Sequence, residues 1–237
     1  MSDFKELKET VLAANQELPR RGIVIYSWGN VSAIDRGRGV LAIKPAGIAY
    51  EKLTVDSISV TDLEGNVLEG PYKPSVDLPI HLVLFKAFSG IGSIVHTHST
   101  YATMFAQSRR EIPCYGTTHA DYFYGSIPCA RIPSRDEVDS AFEESTGRAL
   151  VEALSNRSPM DIPGALAGGH GVFAWGPDAW TAVHNAVVLE EIAHMAFGTE
   201  LLAGHQKLCL PGYILDKHFQ RKHGANAYFE QDDMGGP

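Results

Sequence analysis

Cysteine is scarce in this sequence and never paired. Cys114, Cys129 and Cys209 are its only three. An odd count without C-x-x-C spacing reads as reduced thiols in a cytoplasmic protein, and it excludes a disulfide framework. Long apolar runs are missing as well. No stretch approaches the roughly 18 residues that a membrane span needs. The first helix-like segment carries Asp3, Glu6, Glu9 and Glu17 where a secretory signal would carry basic and then apolar residues, so none is expected. Positive charge is in deficit, with a formal net charge of -8. That speaks against bulk nucleic-acid binding, but it leaves room for one anionic substrate in a locally basic pocket. The glycines form neither G-x-G-x-x-G nor a P-loop. There is no internal repeat, low-complexity tract or linker.

What remains is ordinary globular material, 44% apolar and 20% charged. It is enough to bury a core without a staple, and one domain over residues 1–237 is expected. Residues 3–18 place Phe4, Leu7, Val11, Leu12 and Leu18 at helical spacing, with Pro19 at the end. Strands are predicted at 23–26, 31–34 and 40–43. A hairpin is predicted from 58–63 and 67–68, turning at Glu64-Gly65-Asn66. A loop from Pro74 to Pro79 opens a helix at 80–88, and a strand is expected at 92–98. Long helices are expected at 138–154 and 179–202, and a short one at 215–223. Strands and helices do not alternate regularly, which favours one mixed α/β domain over a doubly wound nucleotide fold.

His96-Thr97-His98 ends the apolar run from Ile91 to Val95. On a strand, residues two apart share a face, so both imidazoles can reach one cation. A third donor must come from elsewhere. His170, inside Gly168-Gly169-His170-Gly171, suits the role because glycines let the backbone bend and approach closely. Asp77, just before a helix, is the best carboxylate candidate. Three histidines with an open position resemble a catalytic zinc site, and imidazoles also suit Mn2+ or Co2+. A lone H-x-H is a weak signal, and among ten histidines accidental pairs occur. His81, His184, His194 and His205 read as ordinary helix residues. Spacing alone makes Asp121, in His119-Ala120-Asp121, a loop residue that caps the next turn, although an acid there could also move protons. An anion site is expected from Trp28-Gly29-Asn30-Val31-Ser32, Lys44-Pro45-Ala46-Gly47 and Lys73-Pro74-Ser75.

Several longer stretches carry a more specific signal. They are WGNVSAIDR, IKPAG, KPSVDLPIH, GSIVHTHST, GTTHADYFYGSIPC, HGVFAWG, AVHNAVVLEEIA and DKHFQRKHGANAY. Together they span nearly the whole chain, and it resembles the L-ribulose-5-phosphate 4-epimerase family within the class II aldolase/epimerases. The resemblance implies a single α/β domain with a central, mostly antiparallel sheet between helix layers. It implies a homotetramer with active sites at subunit contacts and a small sugar or sugar phosphate as substrate. By match, Asp77, His96, His98 and His170 would hold the metal, and Asp121 would be an acid/base. Gly29, Asn30, Lys44, Gly47 and Ser75 would bind phosphate. His218 and Arg221 would help there from a neighbouring subunit.

Three positions depart from the family pattern. Ala46 and Val76 replace serines at the phosphate-binding positions. In the tail Ala227-Tyr228-Phe229-Glu230-Gln231, Phe229 replaces the tyrosine that serves as the second acid/base. A phenyl ring has no proton to transfer. The expectation is therefore a metal-dependent 4-epimerase, acting on L-ribulose 5-phosphate or on an unphosphorylated ketose such as tagatose or fructose. The alternatives are an aldolase without productive epimerisation and, from another class, a non-catalytic scaffold.

Overall fold

The computed structural model describes residues 4–204, 206, 208–225 and 227–228. Chain order is α1 (Lys5–Arg20), β1 (Asn30–Asp35), β2 (Val40–Ile43), β3 (Ser59–Asp62), β4 (Val67–Glu69), α2 (Leu78–Ala87), β5 (Ser93–Thr97) and α3 (Thr100–Ser108). It continues with α4 (Thr117–Ala120), β6 (Cys129–Ala130), α5 (Arg135–Ala153), β7 (Gly164–Ala167), β8 (Gly171–Gly176), α6 (Ala179–Ala203) and α7 (Gly212–His223). Among the described residues the strands form one sheet in the order β4-β3-β2-β1-β5-β8-β7-β6. Every pairing is antiparallel except β6 with β7. The mixed α/β sheet expected from sequence is therefore present, with helices on both faces.

Alternation along the strands assigns those faces. Val11 of α1 packs with Ala33, Val40, Ala42, Ile58 and Val60 on one side. On the same side, a side chain at Gly164 or Gly176 would strike Leu189 or Thr181 of α6. On the other side, His81 of α2 meets Ser32 of β1 and the ring of Phe173 of β8. Phe88, at the end of α2, meets Trp175. The helix termini follow local chemistry. Ser134 and Glu137 form a capping box at the start of α5, and the Asp178 side chain accepts from Thr181 N–H at the start of α6.

One expected strand is absent. Residues 23–26 form no strand, because the chain turns there: Trp28 N–H donates to Ile25 O at 3.0 Å, and Tyr26 adopts a left-handed φ of 54°. Apolar composition at Ile23 to Tyr26 imitated a strand, and the turn overrode it. Conversely, α3, α4, β6 and β7 stand where the sequence reading expects no element.

Candidate metal centre and substrate cavity

β5 delivers His96 and, one residue past its end, His98. His170 sits in the turn between β7 and β8. The Nε2 atom of His96 lies 3.2 Å from Nε2 of His98 and 3.1 Å from Nε2 of His170. All three candidate ligand atoms fall within 4.8 Å of one another. The Nδ1–H of His96 donates to Val172 O at 3.0 Å. That bond assigns the tautomer and turns the Nε2 lone pair toward the other two rings. Facing lone pairs repel unless a cation or proton lies between them. Burial pushes His96 down to about 3 and also lowers His98 and His170, so all three rings are neutral near pH 7. Neutral imidazoles are the form that binds metal.

Asp77 adds a carboxylate, with Oδ2 4.0 Å from His96 Nε2. It occupies the N-cap position of α2 but makes no capping bond. Instead Oδ2 accepts from Asn30 Nδ2 at 2.8 Å and from Ser75 Oγ at 3.2 Å. Burial raises the Asp77 carboxyl, but His96, His81, His170 and the Asn30 bond outweigh it and hold it below its ordinary range. Three nitrogens and one carboxylate oxygen suit a divalent late first-row cation.

Two close approaches need glycine. A Cβ on Gly29, whose φ is +86°, would lie 2.5 Å from His96 O. A Cβ on Gly171 would lie 2.6 Å from Thr97 O and 3.2 Å from His96 Cε1. Both contacts bring backbone against the histidine strand.

The expected anion segments converge beside this cluster. Ala46 N–H donates to Lys73 O and Ser75 N–H donates to Lys44 O, each at 3.0 Å, which knits the two Lys-Pro turns together. Tyr50 Oη donates to the carbonyls of Trp28 and Gly29 at 2.9 Å and fixes the third segment. A cavity of about 500 Å³ results. Gly29, Asn30, Lys44, Ala46, Gly47, Ser75 and Val76 line it together with Asp77, His96, His98 and His170. Lys44 is 2% exposed; its ammonium lies 3.4 Å from Ser27 O and from Pro45 O, and 5.1 Å from the centre of the Tyr50 ring. Burial pushes it down to about 8, against the opposing attraction of Asp77. Ala46 and Val76 put methyl groups on the same wall, and Val76 is 68% exposed.

Asp121, His218 and Arg221 do not line this cavity and form a second cluster. Arg221 clamps the Asp121 carboxylate through Nε at 3.0 Å and Nη2 at 2.7 Å. His218 Nδ1 donates to the same carboxylate at 3.0 Å, and His223 Nε2 donates to Asp121 O at 2.9 Å. The reading of Asp121 as a cap is thus corrected: among the described residues, His218 and Arg221 of α7 are the partners of its carboxylate, and no backbone N–H donates to it. Phe229 lies outside the described residues, as does His205.

One further residue of the site is missed in the sequence. His81 is no ordinary helix residue. It is fully buried beneath Asp77, shares a 2.6 Å hydrogen bond with Ser32 Oγ, and is pushed by burial to about 4. Its place four residues after Asp77, on the same helix face, was the available signal. Trp28, 53% exposed, brings its ring 6.4 Å from that of His98 at the cavity mouth. His184 packs against Tyr122, and His194 stacks on Tyr101, both from α6.

Comparison with known proteins places this geometry. Residues 9–197 match the family model described as the Class II Aldolase and Adducin N-terminal domain. The chain is 50% identical over 230 residues to proteins named L-ribulose-5-phosphate 4-epimerase UlaF from Salmonella paratyphi B (strain ATCC BAA-1250 / SPB7) and Salmonella choleraesuis (strain SC-B67). The match covers 96% of this chain and 100% of each relative. Among solved structures, an L-fuculose 1-phosphate aldolase superposes with a TM-score of 0.80 at 22% identity, covering 93% of this chain and 97% of that one. YgbL from Klebsiella pneumoniae, titled a putative aldolase/epimerase/decarboxylase, gives 0.73 at 23% identity, covering 92% and 99%. The fold is that of the class II aldolases, and the chain belongs to the class II aldolase and adducin N-terminal domain family, with curated relatives that are L-ribulose-5-phosphate 4-epimerases.

Proposed function

We propose that this chain is a divalent-metal-dependent 4-epimerase of a ketose, converting L-ribulose 5-phosphate to D-xylulose 5-phosphate by retro-aldol cleavage and re-addition. The observation that carries the reading is the convergence of three imidazole Nε2 atoms and the Asp77 carboxylate on one cavity wall, with the buried Lys44 ammonium on another. A bound cation supplies Lewis acidity worth several kcal/mol of charge stabilisation. Asp77, His96, His98 and His170 hold it, and Asn30 and Ser75 orient Asp77. Lys44, with Gly29, Asn30, Gly47 and Ser75, receives the phosphate.

The C4 hydroxyl loses its proton, the C3–C4 bond breaks, and its electron pair moves toward the C2 oxygen. Three-carbon and two-carbon fragments result. The aldehyde turns, C3 attacks its opposite face, and the C4 oxygen regains a proton. Proton carriers are therefore needed on both faces. Asp121 is the carrier proposed for one face. Because its cluster lies off the cavity of its own chain, the proposal places it in the cavity of a neighbouring subunit of a homotetramer. His218 and Arg221 accompany it on α7. Phe229 offers no proton for the other face.

Ala46 and Val76 favour a second reading, in which an unphosphorylated ketose such as tagatose or fructose is the better substrate. Losing two hydroxyl contacts to a phosphate costs roughly 1.5–3 kcal/mol each. The aldolase alternative follows from Phe229: cleavage without recapture would release fragments. One experiment separates these readings. Protein loaded with Zn2+, Mn2+ or Co2+ is incubated with L-ribulose 5-phosphate, and separately with tagatose and fructose. Inversion at C4 of the phosphorylated pentose supports the main reading, and inversion of the free hexoses alone supports the second. Accumulated fragments support the aldolase, and no turnover with any metal refutes all three.

A further inference from the structure

The helix that follows His98 is held by a residue ninety positions away. Ser99 occupies the N-cap position of α3, where a serine ordinarily accepts from the first-turn N–H groups. It makes no such bond, and among the described residues its buried hydroxyl has no hydrogen-bond partner. The Glu190 carboxylate of α6 takes the role. It accepts from Tyr101 N–H at 2.8 Å and from Ala102 N–H at 2.9 Å, the second and third amides of the helix. A carboxylate on helix amides makes charge-assisted bonds and also opposes the positive end of the helix dipole.

The other end of α3 is tied too. Gly169 N–H donates to Ala106 O at 2.8 Å. Gly169 directly precedes His170, just as His98 directly precedes Ser99. With nine residues, α3 is a strut of about 13 Å between the carriers of two of the three imidazoles. Glu190 anchors that strut to α6, the helix packed along β5 and β8, which border the same centre.

We propose that Glu190 is a positioning residue for the metal centre: by capping α3 from α6, it fixes the strut that sets His98 against His170. The inference rests on the reading that these imidazoles share a cation, and it is tested in two ways. The first readout needs no metal. Amide hydrogen exchange of the metal-free full chain is compared with that of Glu190→Ala and Glu190→Gln. Faster exchange is expected at Tyr101, at Ala102 and also at Gly169, beyond the far end of the strut. Unchanged exchange at Gly169 in both variants overturns the strut, whatever the site binds.

The second readout is zinc affinity, by competition with a chromophoric chelator at a temperature where circular dichroism shows each protein folded. Glu190→Ala should bind zinc roughly 10–100-fold more weakly, the range expected when an outer support of a ligand is removed. Glu190→Gln, which keeps one acceptor oxygen, should fall between it and the parent. If Glu190→Ala does not fold, Glu190→Gln carries the comparison. Folded variants with the parent's zinc affinity overturn the proposal. A parent that binds no zinc overturns the reading of the site itself.

Discussion

Replacing Lys44 by methionine should weaken phosphate binding and stabilise the protein at the same time. The two effects share one cause. The residue is 2% exposed, and its ammonium is compensated by two carbonyls at 3.4 Å and by the Tyr50 ring, whose centre is 5.1 Å away. Burial lowers it from 10.5 to about 8. That fall corresponds to a cost of roughly 3 kcal/mol for holding the charged form in the fold, an upper figure because water in the cavity screens it. The sign follows from linkage. Between pH 8 and 10.5 the unfolded chain holds more protons at this site than the folded one, so stability rises with pH across that window. At pH 7 both states are protonated and the full cost is present.

Methionine removes the charge at similar length, so Lys44→Met should raise the melting temperature at pH 7 and flatten the pH dependence between 8 and 10.5. An anion bound to the parent offsets the same cost. Inorganic phosphate should therefore raise the parent's melting temperature and leave the variant's nearly unchanged. The lost charge-assisted contact, about 1.5–3 kcal/mol, predicts a KM for a phosphorylated ketose roughly 10–150-fold higher. Differential scanning fluorimetry with and without phosphate, over pH 7 to 10.5, reads all of this. A variant less stable than the parent at pH 7, or equally protected by phosphate, would refute the reasoning.

Other perturbations test other parts of the site. His98→Asn should lower bound metal and turnover together; a metal content equal to the parent's by elemental analysis would remove His98 from the ligand set. Ala46→Ser with Val76→Ser should tighten phosphorylated-ketose binding by about a hundred-fold or more, if two hydroxyl contacts are regained. An unchanged KM would mean that this wall does not meet the phosphate. Phe229→Tyr should raise the rate of C4 inversion of L-ribulose 5-phosphate, measured by product formation, and no gain would show that residue 229 carries no proton. Urea melts should show stability falling from pH 6.5 to 4 as the buried His119, pushed by burial to about 4, takes up a proton in the unfolded chain first. His81 adds to the same fall, so the test of His119 is its removal: a slope no shallower in His119→Gln than in the parent would deny it that role.

Much of this molecule is legible in its sequence because local signals and tertiary packing agree. Leu7, Val11 and Leu18 announce α1 by spacing, and those positions face the sheet. Glu64-Gly65-Asn66 announces the β3–β4 turn, and Asp62 secures it by accepting from Glu64 and Asn66 N–H. Where elements went unread, the deciding partner was distant. The start of α3 carries Thr100, Tyr101 and Thr103, poor helix formers, and its cap comes from Glu190. β7 is four small or apolar residues buried throughout, with no alternation to mark it. At the site, the histidines of His96-Thr97-His98 could be paired by local geometry. Their meeting with His170 depends on the β5–β8 register, which pairs His96 with Phe173 and Thr97 with Val172, far apart in the chain. The burial of Lys44 and His81, and the clamp of α7 on Asp121, likewise exist only once the sheet and its helices have packed.

Titrating the metal-free protein with zinc and recording the zinc X-ray absorption edge tests the heart of the matter. One zinc per chain is expected, with three imidazole nitrogens and one carboxylate oxygen at about 2.0–2.2 Å. Zinc bound without imidazole scattering, or no zinc retained at stoichiometric protein, would contradict a cation held by His96, His98, His170 and Asp77.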